Sequence, residues 1–334
     1  MPKYKDTDYL HISARIKMLE SSLLGKDAFE KIAEARSFEE AVQVLLERGY
    51  DSGENEFNFP YDYEVLLEEE QRSVYRFLSE NINDISIVDF FRVPYDYQNI
   101  KAVLKAEYLG ISPLRMMFSV GTVSKEEMVK AVTNRDRTVL SEGMFAAVEN
   151  AVDAFSVNRD PRDIDIICDK ACFENILALS QKSPYDFIFD FYRKKTNLLN
   201  ISAFMRLKEI KKEIRFFQKV FIPVPGGFPL DFFVKMYDKP VSEFAEELSG
   251  SGFFSGESLF SSASADIQAV ETAVENCIYN MITVFRSVPF GPQVPVSYLL
   301  AKEEEIKNLR VALSAKLAGV SSSGIRERLR LGYV

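Results

Sequence analysis

Three short stretches of this chain carry one pattern at a period of about a hundred residues: Asp96-Tyr-Gln-Asn99-Ile100, Asn197-Leu-Leu-Asn200-Ile201 and Glu305-Ile-Lys-Asn308-Leu309. A fixed internal period constrains a fold more than any composition, because each copy must be built as one similar supersecondary unit. The first and third copies agree over a longer run. Asn99-Ile-Lys-Ala-Val-Leu104-Lys-Ala106-Glu-Tyr-Leu-Gly110 lies over Asn308-Leu-Arg-Val-Ala-Leu313-Ser-Ala315-Lys-Leu-Ala-Gly319. Ile100, Val103, Leu104 and Tyr108 recur at the spacing of one helical face, as do Leu309, Ala312, Leu313 and Leu317. A glycine closes each run where a left-handed residue ends a helix. The second copy keeps the phase through Ile201, Phe204 and Met205 but has Lys211 in the closing position.

The register extends upstream, where Tyr75, Phe173 and Tyr279 stand at similar distances before Asn99, Asn200 and Asn308 in longer helical segments. Earlier still, Ser37-Phe-Glu-Glu40 and Ser124-Lys-Glu-Glu127 read as capping boxes, with a less well capped third counterpart around residues 242–248. No period-two alternation runs over a useful length, so the predicted fold class is all-α. The period divides the chain into three helical units, residues 1–113, 114–221 and 222–334.

With 334 residues, 47% hydrophobic content and 27 phenylalanines, each unit can bury a modest helical core. No run of eighteen apolar residues exists, so no transmembrane segment is expected, and the start lacks the apolar core of a secretory signal. Three cysteines, Cys168, Cys172 and Cys277, have no metal or redox spacing and suit a reducing compartment, the cytosol. A net charge of −9 argues against nucleic acid or acidic lipid as a partner of the whole surface.

Along the chain, helices are expected over residues 7–24, 26–35, 37–48 and 65–80, with a break enforced at Val93-Pro94. Unit two is expected to hold helices near 124–132, 141–155 and 164–180, then one running through Asn200 into a basic stretch. Residues 193–219 hold nine basic side chains and two acidic ones. There Leu207, Ile210, Ile214, Phe217 and Phe221 form a heptad-like stripe, while Lys208, Lys212, Arg215 and Lys219 take another face. This basic face is either an ordinary solvated one or a contact for an acidic partner or phospholipid headgroups. Residues 249–264, rich in Gly and Ser, are expected to be a mobile loop. Its Phe253 and Phe254 either pack on their own unit or serve as a docking point.

Catalytic chemistry is not indicated. His11 is the single histidine and has no accompanying Cys or Ser motif, so it reads as structural. Gly25-Lys26-Asp27 lacks the earlier glycine and the hydroxyl of a phosphate loop. Asp160, Asp163, Asp165 and Asp169 lack the glycine turn and closing glutamate of a calcium loop and enter a helix instead. Glu68-Glu-Glu70 and Glu303-Glu-Glu305 read as solvated helix faces. No cofactor or metal is expected. Asn99, Asn200 and Asn308 read as structural residues, because a carboxamide can both donate and accept across a helix interface without burying a charge.

Tyr9-Leu-His-Ile-Ser13-Ala14-Arg15, the Pro94 to Gly110 segment, Pro225-Gly-Gly227 and Ala301-Lys-Glu-Glu-Glu-Ile-Lys-Asn-Leu-Arg310 together resemble the C subunit of bacterial and archaeal V/A-type rotary ATPases, the relative of the eukaryotic d subunit. The resemblance covers essentially the whole chain, in order. It implies a funnel of three pseudo-threefold-related helical units, with its wide end receiving the tip of the central shaft and its narrow end on the cytoplasmic face of the membrane rotor ring. It also implies a passive, non-catalytic accessory role, transmitting torque between ATP chemistry and ion translocation. On this reading the candidate partner-interface residues are Lys208, Lys212, Arg215, Phe253 and Phe254. The alternative is a helical-repeat scaffold for another assembly.

Overall fold

The computed structural model describes residues 4–250 and 267–329. Phe253 and Phe254 lie outside the described residues. The described chain is all helical. Its helices are α1 (Leu10–Leu19), α2 (Lys26–Glu34), α3 (Phe38–Glu47), α4 (Tyr63–Asn81), α5 (Ser86–Leu109), α6 (Lys125–Asn134), α7 (Glu142–Asn158) and α8 (Pro161–Lys182). They continue as α9 (Asp186–Glu209), α10 (Ile214–Val220), α11 (Leu230–Met236), α12 (Val241–Gly250), α13 (Ile267–Arg286), α14 (Gln293–Leu317) and α15 (Ser322–Arg328). Two compact units result: Met1–Val88 with Tyr279–Val334, and Asp89–Ile278.

In the first unit, α2, α3, α4, α14 and α15 bury Ile32, Leu45, Leu66, Leu309, Leu313 and Ile325 in one apolar cluster. The second unit draws on the phenylalanine content. Phe204 of α9, Phe217 of α10, Phe233 of α11 and Phe244 of α12 are fully buried, with ring centroids 4.9–5.3 Å apart for Phe204 against Phe217, Phe233 and Phe244. Tilted and edge-on contacts at such distances suit the ring quadrupoles and add to burial.

The three asparagine-bearing helices α5, α9 and α14 end alike. Gly110, Lys211 and Gly319 all take positive φ, at 65°, 51° and 74°. The next amide folds back in each case: Ile111 N–H donates to Ala106 O at 3.1 Å, Lys212 to Leu207 O at 3.2 Å and Val320 to Ala315 O at 3.0 Å. The backbone therefore keeps the repeat where the side chain does not. Lys211 holds a left-handed conformation that its Cβ disfavours by about 1 kcal/mol.

Four local expectations are corrected. The N-terminal helix is interrupted: a 3-10 turn (Asp6–Tyr9) precedes α1 and another (Glu20–Ser22) follows it. At that end the hydroxyls of Ser21 and Ser22 donate to Met18 O and Leu19 O, at 2.6 and 2.7 Å, competing with the helical backbone bonds. Pro94 does not break the chain; it lies inside α5. A proline there lacks the amide that would bond Phe90 O, and that carbonyl instead accepts from the Tyr192 hydroxyl at 2.8 Å. The basic stripe is not one helix, because Lys211 ends α9 and α10 begins afresh at Ile214, leaving Ile210 60% exposed while Phe217 is buried. The capping boxes are only half formed. Ser37 accepts from Glu40 N–H at 3.2 Å, but Glu40 reaches Arg36 N–H. Ser124 accepts from Glu127 N–H at 3.4 Å and donates its own hydroxyl to Glu127 at 2.7 Å.

Lys211→Gly should raise thermal stability by about 0.5–1 kcal/mol and Gly110→Ala should lower it by about 1 kcal/mol, both read from unfolding midpoints in denaturant.

Candidate functional site

The position three residues before each repeated asparagine holds the start of a short helix. Asp96 Oδ1 accepts from Val123 N–H at 3.2 Å, and Val123 is the residue before the Ser124 cap of α6. Asn197 Oδ1 accepts from Phe228 N–H at 3.1 Å, the residue before the Pro229 cap of α11. Glu305 Oε2 accepts from Leu24 N–H, the residue before the Gly25 cap of α2. Helix α5 thus holds the start of α6, α9 that of α11 and α14 that of α2. This register pairs α2, α6 and α11, so Ser124 is not the counterpart of Ser37.

The residue types follow from what each joint must satisfy. Asp96 faces only donors: besides Val123 it takes Thr122 N–H at 3.1 Å and Thr122 Oγ1 at 2.6 Å, which a carboxylate alone can accept. Burial pushes its carboxyl above the usual aspartate range, against the pull of Thr122 and Val123. Asn197 faces one donor and one acceptor, and gives its amide hydrogen to Arg193 O at 2.9 Å. Gly121 and Gly227 sit so close to these side chains that a Cβ would overlap Asp96 Oδ1 and Asn197 Oδ1 respectively.

One turn further on, Asn99 Nδ2 donates to Phe118 O at 3.0 Å and Asn99 Oδ1 accepts from Phe118 N–H at 2.8 Å. Asn200 makes the same pair with Ile222, at 2.8 and 3.1 Å. Asn308 is buried at the equivalent place in α14.

Of the glutamate runs 68–70 and 303–305, Glu70, Glu303 and Glu305 are corrected from solvated faces to a largely buried polar network, while Glu304 pairs with Lys307 on its own helix. Lys302, nearly inaccessible, meets Glu70 at 2.5 Å and Glu305 at 2.8 Å, and the Tyr50 hydroxyl donates to Glu305 Oε1 at 2.6 Å. Tyr75 donates to Glu303 at 2.6 Å, which gives the upstream aromatic of copy one its partner. Burial alone would lower the Lys302 amine, but the carboxylates of Glu305 and Glu70 hold it well above the usual lysine range. Burial, with Glu305 alongside, pushes the Tyr50 phenol up. Charge sequence alone could not reveal this, because i,i+3 Lys–Glu spacing is equally common on solvated helices.

A 660 Å³ cleft opens beside this network in the first unit, lined by Arg15, Tyr50, Glu70, Arg76, Tyr298 and Lys302 among others. Its lining also holds Glu80 and the hydroxyls of Ser22 and Ser73, which donate to the backbone carbonyls of Leu19 and Glu70. His11 is exposed on α1. Cys168 is buried in α8 with its thiol pushed up to about 12 by burial, and burial raises Cys172 further. Asp169 and Asp165 pair with Lys101 and Lys105, each at 2.6 Å, and Asp160 caps α8 by accepting from Arg162 N–H. Among the described residues no acidic, Cys and His side chains group as metal ligands.

Of the sequence-expected interface residues, Lys208 is committed to the fold. Its amine donates to Met236 O, Tyr237 O and Lys239 O at 3.0, 2.7 and 2.6 Å, closing the end of α11. Lys212 and Arg215 are exposed.

A family model described as ATP synthase (C/AC39) subunit matches residues 12–328, nearly the whole chain. The chain belongs to this ATP synthase (C/AC39) subunit family. Among its relatives is the C subunit of the V-type sodium ATPase of Enterococcus hirae, 21% identical over 98% of this chain and 99% of that one. The C subunits of the A-type ATP synthases of Thermococcus gammatolerans and Thermococcus onnurineus are each 26% identical, over 97% of this chain and 90% of theirs. As a C/AC39 member the chain is an accessory subunit of an ATPase complex, and no helix among its described residues is long and apolar enough to cross a membrane.

Gly121→Ala and Gly227→Ala should each cost about 1–3 kcal/mol of stability, by forcing the joint side chain aside. Lys302→Met should cost about 3–5 kcal/mol at neutral pH, since it strands two carboxylates in the interior. The raised amine contributes in full below its unfolded value and loses its contribution as pH climbs through the folded one. On the alkaline side the gap between wild type and variant, followed by denaturant unfolding, should therefore persist past the ordinary lysine range and narrow at strongly alkaline pH.

Proposed function

We propose that the chain is the non-catalytic coupling piece of a V/A-type rotary ATPase: a funnel of three helical copies related by pseudo-threefold symmetry, set between the central shaft and the membrane rotor ring. The wide end receives the shaft tip, and the narrow end sits on the cytoplasmic face of the ring. It turns with both and transmits torque between ATP chemistry in the soluble head and ion translocation in the membrane, performing neither. The relatives from Enterococcus and Thermococcus, one belonging by name to a sodium ATPase and the others to ATP synthases, support placing it in such a machine.

The observation that carries this reading is the recurring joint. A part that passes torque must not yield within itself, and here α5, α9 and α14 each hold the start of another helix through the buried side chains of Asp96, Asn197 and Glu305, a turn from the repeated asparagines. Packed helical interiors deform little under load, and buried polar groups that are fully satisfied fix one arrangement. The Lys302–Glu70 ion pair adds a charge-assisted clamp between α14 and α4 beside the Glu305 contact.

The purified complex stripped of this chain should keep ATP hydrolysis by its head but lose ion pumping into vesicles, and adding the chain back should restore pumping. Ion pumping that persists without the chain would refute the proposal, as would ATP turnover by the chain alone.

A further inference from the structure

The turn between α9 and α10 differs from its two counterparts in a way the fold does not require. Gly110 and Gly319 close α5 and α14 with positive φ, whereas α9 closes with Lys211 at a φ of 51°. A left-handed lysine is strained where glycine would be at ease, and an observed backbone outlier is grounds for asking what the side chain does. Complementing the helix dipole is not a sufficient reason, because a cation anywhere in the last turn serves that end without strain, and Arg206 and Lys208 already stand there.

The side chains around this turn are spare. The ammonium groups of Lys211 and Lys212 have no hydrogen-bond or ion-pair partner among the described residues, while Lys208 is wholly occupied by its three carbonyls. Arg215 pairs among the described residues only with exposed Glu213, at 3.0 Å. Lys219 is exposed at the end of α10. Between these cations two large apolar side chains face solvent, Ile210 at 60% and Phe216 at 40% exposure. The turn itself is held: Tyr237 donates its hydroxyl to Lys212 O at 2.5 Å, and Lys212 N–H donates to Leu207 O. A fixed turn thus presents four cations and two apolar contacts on a protein whose net charge is −9.

We propose that the α9–α10 turn, through Ile210, Lys211, Lys212, Arg215 and Phe216, is a docking ridge for an acidic segment of a partner protein within the complex. Charge complementarity selects the occupant. An extended anionic bilayer would feel the whole chain's negative charge, whereas a short acidic segment feels chiefly the local cations, because screening limits the reach of each charge to about 8 Å at physiological salt. Exposed apolar side chains beside the cations supply the contact area that ion pairs at a solvated rim do not. The inference rests on the proposed reading in one respect, that the partner is another component of the rotary complex.

A zero-length carbodiimide, which joins a carboxylate to a lysine amine, applied to the intact ATPase and followed by peptide mass spectrometry tests it. Lys211 or Lys212 should be found linked to an Asp or Glu of another protein of the complex. Links only to Glu209 or Glu213 of the same chain, or none, would overturn it. The triple variant Lys211→Gly, Lys212→Ala, Arg215→Ala relieves the strained backbone, so it should stay folded, yet bind the rest of the complex about tenfold more weakly at low salt, with the loss fading at high salt. Unchanged affinity would overturn the ridge. So would wild-type binding to phosphatidylglycerol vesicles that the triple variant loses while assembly is untouched, since that would assign the turn to a membrane surface. Failure of the wild-type chain to assemble at all would instead strike the proposed function, and is separable from these results.

Discussion

An amide just ahead of a helix has no partner from the helix itself, and the structure depends on how that donor is satisfied three times over. In each copy the acceptor comes from the position three residues before the repeated asparagine: Asp96, Asn197 and Glu305. Leaving such a donor unpaired where it is buried, as at Leu24, would cost about 1–3 kcal/mol, a large share of the stability of a marginally stable protein. The second contact, one turn along, binds the incoming chain at Phe118 and Ile222 by both its amide and its carbonyl. Two grips a turn apart fix the direction of the next segment as well as its position.

The helices, their closing residues and the repeated asparagines were legible from periodicity and spacing. The joint was not, because three different residues perform one function. Aspartate meets donors only, asparagine meets a donor and an acceptor, and glutamate has the length to reach Leu24 while also meeting Tyr50 and Lys302. Residue identity therefore varied while the required chemistry, a side-chain oxygen aimed at one amide, did not. Pro94 misled for a related reason: the cost of a proline in a helix falls when a distant group takes the stranded carbonyl, and Tyr192 is about a hundred residues away in sequence. Glu305 looked solvated because Lys302 stands at ordinary surface spacing from it, and only packing of α14 against α4 brings in Glu70 and buries the group. Lys211 looked like decay of the repeat, yet its backbone repeats faithfully.

These features bear on function together. Membership of the C/AC39 family makes the chain part of an ATPase complex. Where the interior is polar, as at Lys302, the groups are saturated by one another and strengthen a joint. Where cations are left over, as at Lys211 and Lys212, they lie on a fixed turn at the surface. A part of this kind works by being stiff within and selective at its edges, which is what the proposed coupling between shaft and ring demands.

The most direct test is an electron cryomicroscopy reconstruction of the intact ATPase sorted into its rotary states. The account predicts that this chain lies between shaft and ring and turns with both as one body, keeping its internal joints unchanged from state to state. A chain found on the stationary part of the complex, or one whose copies shift against each other at Asp96, Asn197 or Glu305 as the shaft turns, would contradict it.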